Sequence, residues 1–269
     1  MNSAIKLSSP ATHEFWEIPV LFEDEHLLAL DKPAGLLASP DRYDVQEPAP
    51  LDLMQLLHAA IAAGKPWAVE RQLTYLVNAH WLDRDTSGAL LLAKSKAVLI
   101  ALSDLFGIER PLQRQLALVQ GAPREERFEV NAKLAPHPTK PGMWCVDPRN
   151  GKKSSTRFEV VERFAQHTLM ACWPLTNRPH QVRVHLQNSG LRIVGDQLYG
   201  GRGLLLSELK SDYRLKPGRT ENPLLGRVAL HSEQLELPHP VTNAPVNITA
   251  QWPKDLRVAV KYLRQYAGR

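Results

Sequence analysis

Apolar and polar residues alternate from Ile18 to Leu30 and then give way to Lys32-Pro33-Ala34-Gly35. A period of two that stops at Pro and Gly predicts a strand running into a turn. Residues 39–50 hold three prolines and three acids and read as a loop. Leu53, Leu56, Leu57, Ala60 and Ile61 then recur at helical spacing, which predicts a helix within residues 51–63. Farther on, the pattern predicts a helix over 98–106, a strand over 115–119, a hairpin excursion over 136–151 and paired strands over 156–162 and 168–173. Residues 254–266 repeat the helical period, with Pro253 near the start and Leu256, Val260 and Leu263 on the inward side. Before that helix, residues 201–226 form a loop-like insertion bearing Arg202, Lys210, Arg214, Lys216 and Arg219.

The segment His80-Trp81-Leu82-Asp83-Arg84-Asp85-Thr86-Ser87-Gly88 sets two carboxylates at the entrance to the apolar run Ala89-Leu90-Leu91-Leu92-Ala93. Asp, Thr, Ser and Gly form turns, because the side chains bond the local backbone and Gly accepts a positive φ. The segment therefore reads either as a turn between strands or as a carboxylate held at the edge of a core, where it acts as nucleophile or base. A second polar cluster favours the latter: Thr176-Asn177-Arg178-Pro179-His180-Gln181-Val182-Arg183-Val184-His185-Leu186. Thr176 or Asn177 as N-cap, Pro179 in the first turn and Gly190 as the stop predict a helix of about three turns. On it Val182, Arg183 and Leu186 share a face with Pro179, so a guanidinium lies beside an apolar stripe. Burying such a group is costly unless a carboxylate pairs with it. The alternation from His180 to Leu186 also fits a strand.

The His80–Gly88 segment resembles the catalytic motif of the RluA-type pseudouridine synthases, His-Arg-Leu-Asp followed two residues later by Thr-Ser-Gly. Arg178–His185 is similar to the family's Gly-Arg-Thr-His-Gln-Ile-Arg-Val-His, and Ile193-Val194-Gly195-Asp196-Gln197-Leu198-Tyr199-Gly200 follows in the expected place. Leu30-Asp31-Lys32-Pro33-Ala34-Gly35 matches near the start, and Leu230-His231-Ser232-Glu233-Gln234-Leu235 with His239-Pro240 near the end. Order and spacing agree over about residues 18–265. There are two departures. Trp81 stands where the family has Arg, and Gln115, just before Leu116-Ala117-Leu118-Val119-Gln120-Gly121, stands where it has a Tyr that lies against the target base. Gln115 can hydrogen-bond a uracil edge, but it does not titrate as a phenol does.

The resemblance implies an α+β fold. After a flexible segment of residues 1–15, residues 16–269 are expected to form a single pseudouridine synthase catalytic domain. That domain would be a bent, largely antiparallel mixed sheet flanked by helices, with a central RNA-binding cleft. The implied reaction isomerises uridine to pseudouridine in ribosomal or transfer RNA, on a nucleotide drawn out of its stack. It involves no redox change, so neither a cofactor nor a metal is expected. Asp83 is implied as the catalytic carboxylate, attacking sugar or base or removing the ribose 2′ proton, and Arg183 as the cation that keeps it ionised. Substrate and RNA contacts are expected at Trp81, Leu82, Arg84, Gln115, Arg178, His180 and Lys32. Trp81 would stack beside the gap left by a flipped base, while Asp85 caps the turn or organises Thr86. Arg149, Lys152, Lys153 and the 201–226 insertion are further candidates for phosphate contacts.

Composition agrees with this picture. The chain has 269 residues, 43% of them hydrophobic, and a formal net charge of +5. That length supports a large core, and a pI near 9.2 favours a polyanionic partner. Cys145 and Cys172 lack a paired spacing, and His80, His180 and His185 match no common zinc pattern. A reduced, cytoplasmic, monomeric protein is expected, with no secretory signal in residues 1–15 and no membrane partner. Two other readings stay open. Gln115 in place of Tyr suits an RNA-binding paralogue with impaired catalysis. Asp83 and Asp85, about 7 Å apart on one strand, suit the acid pair of a glycoside hydrolase. The basic charge and the lack of a clustered aromatic sugar platform argue against the hydrolase.

Overall fold

The computed structural model describes residues 4–9, 12–40, 51–108, 111–216 and 218–268. In chain order its elements are β1 (Ile5–Ser8), β2 (Phe15–Ile18), β3 (Val20–Glu23), β4 (Leu27–Lys32), α1 (Leu53–Ala62), α2 (Pro66–Glu70), β5 (Val77–Asn78), β6 (Ser87–Ala93) and α3 (Lys96–Gly107). They continue as β7 (Leu112–Gln120), β8 (Arg127–Pro136), β9 (Trp144–Val146), β10 (Lys152–Arg163), β11 (His167–Pro174), α4 (Gln181–Asn188), β12 (Arg192–Ile193), α5 (Leu206–Leu209), β13 (Leu230–Pro238), β14 (Pro245–Thr249) and α6 (Lys254–Tyr266). Contacts divide the chain into two compact units, residues 1–113 with 232–250 and residues 114–231 with 251–269. Most of the loop expected over 39–50, namely residues 41–50, lies outside the described residues.

In the first unit β4 pairs antiparallel with β3 and β6, β5 pairs with β6, and β14 pairs with β13. Every residue of β6 is buried, because both faces of this sheet are covered. Leu28, Leu30, Leu90 and Leu92 pack on one side with Leu53 and Leu57 of α1 and Trp67 of α2. Leu27, Ala29, Ala89 and Leu91 pack on the other with Val98 and Leu102 of α3 and Leu235 and Ile248. Double coverage explains why Ala89–Ala93 is a continuous apolar run rather than an alternating one. Asp52 caps α1 by accepting the Gln55 N–H at 2.9 Å. Within the segment expected to be flexible, Ile5 and Leu7 are buried in a β1–β2 hairpin, with Ile5 opposite Ile18. The alternation Ile5-Lys6-Leu7-Ser8 gives that strand one apolar face to bury.

In the second unit the order is β7-β11-β10-β8-β9, with β12 also on β7, and the registers are antiparallel. The core joins Leu118, Phe158, Leu169 and Met170 to Val182 and Leu186 of α4 and to Leu256, Val260 and Leu263 of α6. The three inward residues expected on α6 are therefore buried, and Ala259 joins them. The polar cluster is helical, which settles helix against strand, but its start differs from expectation. His180 is the N-cap of α4, in a left-handed conformation at φ 54°, without a side-chain cap. Thr176 is occupied elsewhere: its Oγ1 accepts the Ser155 N–H at 3.1 Å and donates to Gln181 Oε1 at 2.8 Å. The 201–226 insertion holds the short α5 and is pinned by a bridge between Leu204 and Leu225. Among the described residues no helix is long and apolar enough to cross a membrane.

Candidate active-site residues

Asp83 is half-buried in the turn that feeds β6, and the turn closes through the Thr86 N–H donating to the Asp83 carbonyl at 3.1 Å. The chain is fixed on both sides of it. On one side Leu82 is 2% exposed and sits in the core with Leu90 and Leu92. This corrects the expectation of an RNA contact at Leu82, whose apolar side chain is an anchor. On the other side the Arg84 carbonyl accepts the Gly35 N–H at 2.9 Å and the Lys32 ammonium at 3.0 Å, while Arg84 Nε donates to the Gly35 carbonyl at 3.1 Å.

Lys32 is likewise not an RNA-facing residue. It is fully buried, and its Nζ also donates to the carbonyls of Pro33 at 2.9 Å and Leu36 at 2.6 Å. Three converging carbonyls make the burial tolerable. Lys32 therefore ties the 33–36 turn to the turn carrying Asp83.

Gly88 fixes where this turn joins the sheet. Its φ is +112°, and a Cβ there would lie 2.2 Å from the Ser232 carbonyl oxygen of β13. Only glycine fits so close an approach. His80 is buried, accepts the Leu91 N–H at Nε2 at 3.1 Å, and stacks on Phe106 with centroids 5.3 Å apart. Burial lowers its pKa to about 4, so the imidazole is neutral at pH 7. Trp81 and Asp85 are half-buried and Arg84 is exposed. The Thr86 hydroxyl is buried with no hydrogen-bond partner among the described residues, so Asp85 does not organise Thr86 through that oxygen.

In the second unit Arg183 is 5% exposed and Asp196 is 1% exposed. They form a two-pronged ion pair, Nε to Oδ2 at 2.7 Å and Nη2 to Oδ1 at 2.9 Å. Such a fork is the strong geometry for Arg and carboxylate. The guanidinium carbon also lies 4.9 Å from the centre of the Tyr199 ring. The Tyr199 hydroxyl meets His180 Nδ1 at 2.8 Å, accepts the Trp144 N–H at 3.0 Å and donates to the Trp144 carbonyl at 3.2 Å. Asp196 and Tyr199 thus fix the position of Arg183, and the sequence reading gives neither a role. The demand of Arg183 for a carboxylate was the available signal. His185 is fully buried between Ser154 Oγ and Thr156 Oγ1, each at 2.9 Å, and burial lowers its pKa to about 4, which suits a structural role.

Arg178 is half-buried and donates from Nε to the Lys153 carbonyl at 3.3 Å. Gln115 is 8% exposed on β7, opposite Cys172 of β11, and its Oε1 has no partner among the described residues. A buried amide oxygen with no acceptor role in the fold is available to a ligand donor such as a uracil N–H. Among the described residues no group of His, Cys, Asp and Glu is placed to hold a metal ion.

Residues 26–188 match the family model described as RNA pseudouridylate synthase. The chain is 35% identical over 245 residues to a protein of Vibrio vulnificus (strain CMCP6) named ribosomal large subunit pseudouridine synthase C, covering 91% of this chain and 69% of the relative. It is 35% identical over 248 residues to ribosomal large subunit pseudouridine synthase D of Xylella fastidiosa (strain Temecula1 / ATCC 700964), covering 92% of this chain and 70% of the relative. Among solved structures, "Human RNA Pseudouridylate Synthase Domain Containing 4" is similar in fold, with a TM-score of 0.65 and 21% identity, covering 91% of this chain and 92% of that one.

Proposed function

Because the chain belongs to the RNA pseudouridylate synthase family, whose members are isomerases acting on RNA, we propose that it converts a uridine of ribosomal RNA to pseudouridine with Asp83 as its catalytic carboxylate. The bond from uracil N1 to ribose C1′ breaks, the base turns, and C5 bonds to C1′. The C5 proton is given up and N1 ends protonated, so atoms balance without a second substrate. Asp83 attacks the sugar or base, or removes the 2′ proton; each role needs an ionised carboxylate, and Arg183 is assigned the cation that favours it. Gln115 binds the base by hydrogen bonding, and Asp83 or water carries the C5 proton. The observation that supports Asp83 most directly is its backbone, clamped between the buried Leu82 and the Arg84 carbonyl held by Lys32. Such positioning is what a nucleophile or base requires.

Ribosomal RNA is the preferred substrate because the relatives are named for the large ribosomal subunit, with transfer RNA as the second choice. Residues 16–269 are kept together as the catalytic domain, since the family match runs through both units. Action as a monomer in the cytoplasm completes the proposal. The carbohydrate hydrolase reading of Asp83 and Asp85 gains nothing from the relatives. The test uses ribosomal RNA transcripts labelled with tritium at uracil C5. Wild type releases tritium to water as C5 bonds to C1′, and Asp83→Asn releases none. RNA retention with no release by the wild type would instead support the non-catalytic paralogue suggested by Gln115.

A further inference from the structure

The open face of the second unit's sheet carries a row of cationic side chains that ends at an aromatic ring. Residues paired across strands point to the same side. By register, Trp173 lies opposite Arg157, Arg157 opposite Glu129, Ser155 opposite Asn131, and Lys153 opposite Lys133. Arg114 joins this face, its guanidinium carbon 5.9 Å from the Trp173 ring centre. Arg178 reaches the same corner by its bond to the Lys153 carbonyl.

Lys133 and Lys153 are the informative pair. Like charges directly opposite one another destabilise a strand pair, and the acids nearby are engaged by local donors. Glu129 accepts from Ser155 Oγ at 2.9 Å and Asn131 Nδ2 at 3.0 Å, and Glu159 pairs with Arg127 at 2.9 Å. Asp147 Oδ1 accepts the N–H groups of Arg149 at 2.9 Å and Asn150 at 3.0 Å. Along β10, Arg157 and Lys153 are four residues apart, about 13 Å in a strand. A line of cations with an aromatic ring at one end is what a single nucleic-acid strand binds, its phosphates along the charges and a base on the ring.

We propose that this face is a track for the RNA strand. Trp173 with Arg114 receives a base, and Arg157, Lys153, Lys133 and Arg178 receive phosphates. The assignment rests on the RNA-directed reading above and names the surface that holds the RNA.

The test measures binding of a short, unstructured, fluorescently labelled RNA to the full chain as a function of KCl. Each phosphate contact on a single strand contributes about −0.7 to the slope of log K against log salt. The double variant Lys133→Gln/Lys153→Gln should therefore flatten the slope by about 1.4. Trp173→Leu should weaken binding about tenfold with the slope unchanged. Lys254→Gln/Lys261→Gln, on the exposed side of α6, should alter neither. Melting curves matched to wild type confirm that each variant is folded.

The track is overturned if the Lys133/Lys153 variant keeps the wild-type slope, if the α6 control loses as much, or if wild type does not bind. Polyglutamate bound as tightly as RNA, and lost with the same substitutions, would overturn RNA as the occupant. Pseudouridine formation is assayed on the same proteins. A flattened slope without product from wild type sinks the enzyme reading alone, whereas product with an unchanged slope sinks the track alone.

Discussion

Arg183 tolerates its burial because Asp196 meets it with two hydrogen bonds, at 2.7 and 2.9 Å. Asp196→Asn removes the charge of the carboxylate that grips this buried guanidinium at two points, which is expected to cost about 3 kcal/mol. Urea unfolding checks this, and an unchanged midpoint would mean that Asp196 does not carry the compensation. Gln115 predicts the opposite balance. Its buried carbonyl has no partner among the described residues, so Gln115→Leu should gain about 1 kcal/mol of stability, while the proposed hydrogen bond to the base predicts lower turnover. Turnover equal to wild type would end its assignment to the substrate. The need of Arg183 for a carboxylate is legible from its apolar neighbours in sequence. That Asp196 supplies it is not, because the fold of the 188–196 segment decides which acid arrives. Lys32 is illegible for a related reason: a lysine before Pro-Ala-Gly reads as an RNA-facing cation, and only three converging carbonyls make its burial possible.

Among the elements, β6 and the turn before it do most to place Asp83. Gly88 lets β6 lie against Ser232, where a Cβ would be 2.2 Å from a carbonyl oxygen. Gly88→Ala is therefore expected to destabilise by about 3 kcal/mol or more through strain and displacement. It should also lower pseudouridine formation per folded molecule, because the turn shifts with the strand. A variant with wild-type melting and turnover would contradict this role. Helix α6 is readable in advance because Leu256, Val260 and Leu263 repeat at the helical period. The start of α4 is not, since Thr176 spends its hydroxyl on Ser155 and Gln181 and leaves the cap to His180 in a left-handed conformation. Long-range partners, rather than local propensity, choose that cap.

For the whole molecule, the buried histidines set a dependence of stability on pH. His80 stays neutral in the folded protein down to about pH 4 because of burial, whereas in the unfolded chain it titrates near 6.5. Between those values the unfolded state binds more protons. The contribution is therefore full above about pH 6.5 and is lost as pH falls towards 4. From pH 7 to pH 5 the loss from His80 is about 2 kcal/mol, and His185 acts in the same direction. Urea unfolding at both pH values should show His80→Gln losing less than wild type by that amount; equal losses would contradict a neutral buried His80. The net charge of +5 favours a polyanionic partner and leaves its identity open. Asp83 is the central claim. It is tested most directly by mapping pseudouridines across ribosomal RNA from cells lacking the gene, complemented with wild type or with Asp83→Asn at equal abundance. Wild type should restore a defined modified position and Asp83→Asn should leave it as uridine; restoration by Asp83→Asn, or maps identical with and without the gene, would contradict the account.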